Sequence, residues 1–226
     1  MITCENVCKT YEGTSPVKAL KNIQLTIDSN SFTAILGASG SGKSTLMNLI
    51  GLIDFPTSGQ IQIDNVDTAK LTANELANLR NRKIGYVFQA FYLEEAYSVE
   101  KNVEMPLLIA GLPSKAREER ISQCLESVGM SAKQKSLVSE LSGGEKQRVC
   151  IARAIANHPP ILLADEPCGN LDSTNRQDIM KLFQKLHNEG TTIVLITHNP
   201  EEASYADRIV VLKDGEICSN EETKLF

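Results

Sequence analysis

The chain has 226 residues, 42% of them apolar and 23% charged, with a formal net charge of −5. That length fits one large domain of more than the typical ~150 residues, or a core with a smaller inserted unit, and the acidic balance argues against nucleic acid as a partner. No apolar stretch approaches the ~18 residues needed to cross a bilayer, and Met1 to Glu5 lacks the basic-then-apolar layout of a leader, so a cytosolic chain is expected.

The first thirty residues alternate in the manner of strands, with Leu20, Ile23, Leu25 and Ile27 marking the period. Ser31 to Leu36 is a short apolar strand that runs into a glycine cluster, and Lys43 to Ile50 has helical pattern. Between them, Gly37-Ala38-Ser39-Gly40-Ser41-Gly42-Lys43-Ser44 fits the phosphate-loop pattern G-x-x-x-x-G-K-[ST] in its required strand-to-helix setting. Glycines there let backbone N–H groups converge on phosphate oxygens, and the helix N-terminus adds a favourable dipole. Lys43 is expected to reach the terminal phosphates and the Ser44 hydroxyl to ligate Mg²⁺; Thr45 completes the nucleotide-binding run.

Gly59 to Asp64 reads as a strand, residues 72–82 as a short helix, and Ile84 to Phe88 as a strand ending at Gln89, which can join the metal or the attacking water. From about 90 to 158 strand signals nearly vanish. Ser114 to Gly129 reads as a helix with Ser114 as cap and Gly129 as terminator. Leu141-Ser142-Gly143-Gly144-Glu145 precedes a helix placed at Lys146 to Asn157. A capping box accounts for Ser142 and Glu145. It does not account for two glycines, each costing about 1 kcal/mol in a helix relative to Ala. Close approach to a ligand would, making Ser142 to Gly144 a second anion-binding helix start.

Ile161 to Ala164 is a buried-type strand ending in Asp165 and Glu166, the first placed to hold the Mg²⁺ shell and the second to polarise the attacking water. After a helix over Ser173 to Gly190, the strand Thr192 to Thr197 ends at His198. Parallel strands gather their ends at one edge, which brings His198 toward the γ-phosphate. His158 and His187 are read as structural. Arg208 to Ile217 is a hairpin turning at Asp214-Gly215. The six cysteines are scattered without a CxxC pair and are expected to pack as reduced, small apolar groups.

Lys43, Gln89, Leu141 to Glu145, Ile161 to Glu166, Gly169-Asn-Leu-Asp172 and His198, in that order, resemble the motif set of an ABC transporter nucleotide-binding domain. The resemblance covers essentially the whole chain. It implies an α/β fold: a P-loop NTPase parallel-sheet core (1–89 and 159–226) with an N-terminal antiparallel β subdomain and an inserted α-helical subdomain at about 90–158. It implies ATP as substrate with Mg²⁺ held by Ser44, Gln89 and Asp165, catalysis by Glu166, His198 and Lys43, and Tyr11 stacking on adenine. One phosphate loop would meet Ser142 to Gly144 of a second copy in a head-to-tail, ATP-dependent homodimer. A separate membrane permease would dock near 90–105, holding the chain on the cytoplasmic face of the membrane.

Leu79 to Gln89 and Ala164 to Asp172 are similar to the macrolide-export and lipoprotein-release branch, whose relatives include cell-division proteins. The expected cargo is a peptide, drug or lipoprotein, with a permease driven mechanically and without transport as the alternative. The lack of a regulatory extension after Phe226 leans the same way. Departures are Glu145 for Gln, Asn30-Ser31 for Gly-Glu, Cys168 for Thr, and Glu94, Glu95 and Tyr97 after Gln89. A DNA-repair ABC protein would add heptads, zinc cysteines or a basic face. A translation factor would need a second phosphate loop, and a small-molecule kinase leaves Leu141 to Glu145 and His198 unexplained.

Overall fold

The computed structural model describes residues 1–222; the expectation drawn from the chain's end at Phe226 falls outside them. Strand β1 (Ile2–Tyr11) pairs antiparallel with β2 (Val17–Ile27), burying Ile2, Cys4 and Val7 on the same face as Leu20, Ile23, Leu25 and Ile27. Asn30, at φ 56°, supplies the left-handed turn that a glycine often supplies and leads into β3 (Phe32–Leu36). Helix α1 (Lys43–Ile50) follows the glycine loop. Strands β4 (Ser58–Ile63) and β5 (Val66–Asp67) complete a four-stranded antiparallel sheet in the order β2-β1-β4-β5.

Helix α2 (Ala73–Lys83) starts on a Thr72–Glu75 capping box and leads to β6 (Ile84–Val87). The next stretch is helical, with α3 (Val99–Ile109), α4 (Ser114–Ser127) and α5 (Gly143–Ala154). At two helix starts the residues are used differently from the sequence reading. Ser114 does not cap α4: Pro113, extended at φ −60° and ψ 152°, holds the cap position, and the Ser114 hydroxyl donates to Glu118 at 3.2 Å from inside the helix. Gly129 does end that segment, at φ 72°. Helix α5 begins at Gly143 and not at Lys146, because the Ser142–Glu145 capping box draws both glycines into its first turn.

Strand β7 (Ile161–Asp165), helix α6 (Ser173–Asn188), strand β8 (Thr192–Thr197), the short helix α7 (Pro200–Ala203), and strands β9 (Arg208–Lys213) and β10 (Glu216–Glu222) complete the described chain. Asp214 and Gly215, at φ 50° and 80°, form the hairpin turn between the last two. The second sheet runs β10-β9-β3-β8-β7-β6, parallel except for β10 at its edge.

That sheet is covered on both faces, which is why its inner strands read as unbroken apolar runs. With side chains alternating, Phe32, Ala34, Leu162, Ala164, Ile193 and Leu195 join a core with α3 to α6. Ile35, Ile161, Leu163, Val194 and Ile196 join a second core with α1 and the antiparallel sheet. Cys4, Cys124, Cys150 and Cys168 are buried free thiols as expected, whereas Cys218 is exposed. Among the described residues no helix is long and apolar enough to cross a membrane. Leu163 is fully buried in the second core, so Leu163→Ala is expected to cost about 3 kcal/mol in a urea unfolding measurement.

Candidate nucleotide site

The parallel register sets the site. Leu36 lies beside Thr197, Asp165 beside Ile196, and Val87 beside Ala164, so the segments that follow these strands emerge along one edge. The phosphate loop fills that edge, with Gly40 and Gly42 at φ 78° and 102°, where a side chain would be strained. A Cβ on Gly37 would collide with the Leu212 carbonyl, and one on Gly42 would lie 2.6 Å from the Ala19 carbonyl. The hairpin turn braces the loop from behind, Gly215 N–H donating to the Ser41 carbonyl at 3.0 Å. Lys43 is buried, and its ammonium donates to the Ala38 carbonyl at 2.8 Å, which holds the charge inside the loop's curve.

An open cleft of about 1030 Å³ is lined by Tyr11, Ala38, Ser39, Gly40, Gly42, Lys43, Ser44, Thr45, Gln89, Glu166 and His198. Val17, Lys18 and Lys21, which no sequence motif marks, line it too, as does Asp214 of the hairpin turn. Gly37 and Ser41 shape the loop from outside that lining. Three residues far apart in the sequence meet at Glu166: its Oε1 lies 3.2 Å from His198 Nδ1, and its Oε2 accepts from Gln89 Nε2 at 3.4 Å. Glu166 itself sits at φ 43°, a left-handed conformation costing about 1–3 kcal/mol for a side-chain-bearing residue. Hydrogen bonds from its N–H to the Ile196 carbonyl (2.9 Å) and to its carbonyl from Gly169 (3.0 Å) hold it there.

Asp165 lies under the edge, where one of its carboxylate oxygens, Oδ1, is buried without a hydrogen-bond partner. Burial raises its carboxyl pKa above the ordinary carboxylate value, and the neighbouring Glu166 charge adds to this; a hydrogen bond with Ser44 and the charge of Lys43 oppose it. Among the described residues no three His, Cys, Asp or Glu side chains form a metal cluster. An orphaned carboxylate oxygen, the Ser44 hydroxyl and the Gln89 amide nonetheless suit Mg²⁺, a hard ion that takes few protein ligands and keeps water and phosphate oxygens. When bound there with nucleotide, Mg²⁺ would neutralise phosphate charge.

Tyr11 is oriented by residues that sequence reading did not select. Its hydroxyl donates to Asp54 Oδ2 at 3.0 Å, while Lys9, paired with the same Asp54 at 2.7 Å, places Nζ 4.8 Å from the ring centroid. Ser142, Gly143 and Gly144 lie outside the cleft lining. The capping box is present, with Ser142 N–H donating to Glu145 Oε2 at 2.9 Å, and this backbone bond holds the Glu145 carboxyl below its ordinary pKa. The two glycines differ. Gly143 is exposed with room around it, whereas a Cβ on Gly144 would collide with the Asn175 side chain on α6. A side chain at 144 would have to displace the Asn175 amide, which is itself bonded to Asp172 at 2.7 Å. Cys168 is fully buried with its pKa pushed up to about 12 by burial, an inert thiol.

A strand, a phosphate loop opening a helix, and an acidic strand end beside that loop define a P-loop nucleoside triphosphatase. Comparison with known proteins narrows this. The family model described as "ABC transporter" matches residues 20–169. YknY of Bacillus subtilis, an uncharacterised ABC transporter ATP-binding protein, is 48% identical over 96% of this chain and 95% of its own length. The macrolide export ATP-binding/permease protein MacB of Aggregatibacter actinomycetemcomitans is 45% identical over 94% of this chain, which spans 33% of MacB. The dimeric post-hydrolysis structure of the ATP-binding cassette MJ0796, bound to ADP and Pi, superimposes with a TM-score of 0.92 at 42% identity, covering all of both chains. The chain belongs to the ABC transporter family, as its ATP-binding and ATP-hydrolysing component.

The raised pKa of Asp165 means that its ionised form is disfavoured by folding. That cost is absent at pH values below the unfolded carboxylate pKa and grows as pH rises through the folded one. Asp165→Asn is therefore expected to melt at a higher temperature than the wild type at pH 7 without nucleotide, with the gap closing as pH falls into the carboxylate range. Its Mg²⁺-dependent ATP turnover should be lost.

Proposed function

We propose that two copies of this chain close head to tail on ATP, each phosphate loop facing Ser142 to Gly144 of the other, and that hydrolysis reopens them to drive a separate membrane permease. The observation that carries this reading is the incomplete cleft: Gln89, Glu166, His198 and the phosphate loop line it, and the exposed turn at Ser142 and Gly143 does not. A second copy would supply the missing wall, so nucleotide acts as part of the interface and the dimer forms by mass action. The structure of MJ0796, a related cassette, is dimeric and bound to ADP and Pi, which supports the pairing of two copies.

In this reading Lys43 exchanges the Ala38 carbonyl for terminal phosphate oxygens, and Ser44, Asp165 and Gln89 hold Mg²⁺. Glu166 polarises a water for attack on the γ-phosphorus while His198 contacts the same phosphate, and the bond to ADP breaks. Tyr11 stacks on adenine with the ring face away from Lys9. The permease docks on the segment near 90–105 at the cytoplasmic face, where Tyr92 on that segment and Ile109 just beyond it are 70% and 76% exposed. MacB, whose name joins an ATP-binding part to a permease, supports both the pairing and an export role, with a peptide, drug or lipoprotein as cargo.

Glu166→Gln should bind ATP, hydrolyse it slowly and elute as a dimer with Mg²⁺-ATP at micromolar protein by light scattering. A monomeric E166Q under those conditions overturns the dimer reading. Lys43→Ala should lose ATP binding in titration calorimetry. Stimulation of ATPase activity by peptides or lipoproteins, with the permease present, tests the export role; activity that responds to the permease but to no cargo favours a purely mechanical one.

A further inference from the structure

Helix α7 contains a buried carboxylate, Glu202, that the hydrolysis scheme above does not use. Its side chain is 5% exposed and has two partners. Thr197 Oγ1, buried at the end of β8, donates to Glu202 Oε2 at 2.6 Å, the short distance typical of a charge-assisted bond. Thr197 Oγ1 also accepts from the Asn199 N–H at 3.0 Å. These two bonds flank His198 and fix the backbone turn that carries it. Asn199 then caps α7 by accepting from the Glu201 N–H at 2.9 Å, so the turn and the helix that bears Glu202 form one closed loop of hydrogen bonds.

The other oxygen, Oε1, lies 3.3 Å from Arg176 Nε on α6. The N–H is misaligned for a hydrogen bond, which makes this an ion pair with an adaptable geometry. Arg176 sits one turn into α6, and its N–H donates to the carbonyl of Asp172, the residue that caps that helix and ends Gly169-Asn-Leu-Asp172. Glu202 therefore connects the segment that carries His198 to the segment that follows Glu166. A buried charge of this kind is costly unless fully partnered, and an apolar residue would pack α7 as well; conformational definition is what the charge adds.

We propose that Glu202 is a positioning residue for hydrolysis, acting through Thr197 to hold His198 against Glu166 and the γ-phosphate, and through Arg176 to keep that geometry in step with α6. The proposal rests on the reading of His198 as a group that faces the γ-phosphate. In the absence of this brace His198 is free to move on its exposed side, since its side chain is 62% accessible and, among the described residues, its one side-chain anchor is Glu166 itself.

Steady-state ATP hydrolysis by the full chain with Mg²⁺ tests this in Glu202→Gln, Thr197→Val, Thr197→Ser, His198→Ala and the T197V/H198A double variant. T197V keeps the shape and the Glu202–Arg176 pair, so it reports even where E202Q does not fold. E202Q and T197V should each lower kcat about tenfold, within the ~10²-fold that a full ångström of misplacement can cost, with KM for ATP unchanged. T197S should restore kcat, and T197V should cost nothing further in the H198A background. A tenfold loss that persists in the H198A background, or wild-type kcat in both E202Q and T197V while H198A is impaired, overturns the positioning role alone. Wild-type kcat in H198A overturns the His198 reading and this proposal together.

Discussion

The parallel pairing of β3, β8, β7 and β6 is the constraint on which the rest depends. A parallel register forces every strand to finish on the same side, so the chemistry need only be placed one or two residues beyond each strand. Gly37, His198, Glu166 and Gln89 occupy such positions, and Asp165 is the last residue of its own strand. No long-range side-chain contact has to assemble them. The apolar strands, buried on both faces, do so by finding their register, and the left-handed backbone of Glu166 is tolerated because β8 and the turn at Gly169 hold it.

Much of this could be read from the sequence because it is local. The phosphate loop, the Ser142–Glu145 capping box, the Asp214-Gly215 turn and the unbroken apolar strands each follow from residues close together in the chain. What could not be read is contact between distant segments that leaves no periodic trace. Asp54 and Lys9 orient Tyr11 from different strands and loops, and Asn175 on α6 fills the space beside Gly144. Ser114 was misplaced for a local reason: a serine at a helix start competes with proline before it, and the fixed φ of Pro113 prevailed. Helix α5 starts earlier than its glycines suggested, since capping-box geometry outweighed their low propensity.

The two faces of the central sheet carry different burdens. One core ties the sheet to α1 and the antiparallel strands, which hold the phosphate loop and Tyr11 in a fixed relation. The other ties it to α3 through α6, which carry the Ser142 turn and the segment after Gln89. The same sheet thus serves as a common floor for the side that carries the phosphate loop and the side that carries the Ser142 turn. Gln89, Glu166 and His198 sit together at the edge of that sheet, in the lining of the cleft.

The bond from Gly215 to the Ser41 carbonyl, with the Leu212 carbonyl packed behind Gly37, has a bearing on the order in which the protein is made. A ribosome releases the phosphate loop early, but β9 and its turn, which form the wall behind that loop, emerge only after residue 208. Until then β3 lacks its β9 neighbour and the loop lacks its backing. The backing of the phosphate loop is therefore complete only once both halves of the central sheet have been synthesised.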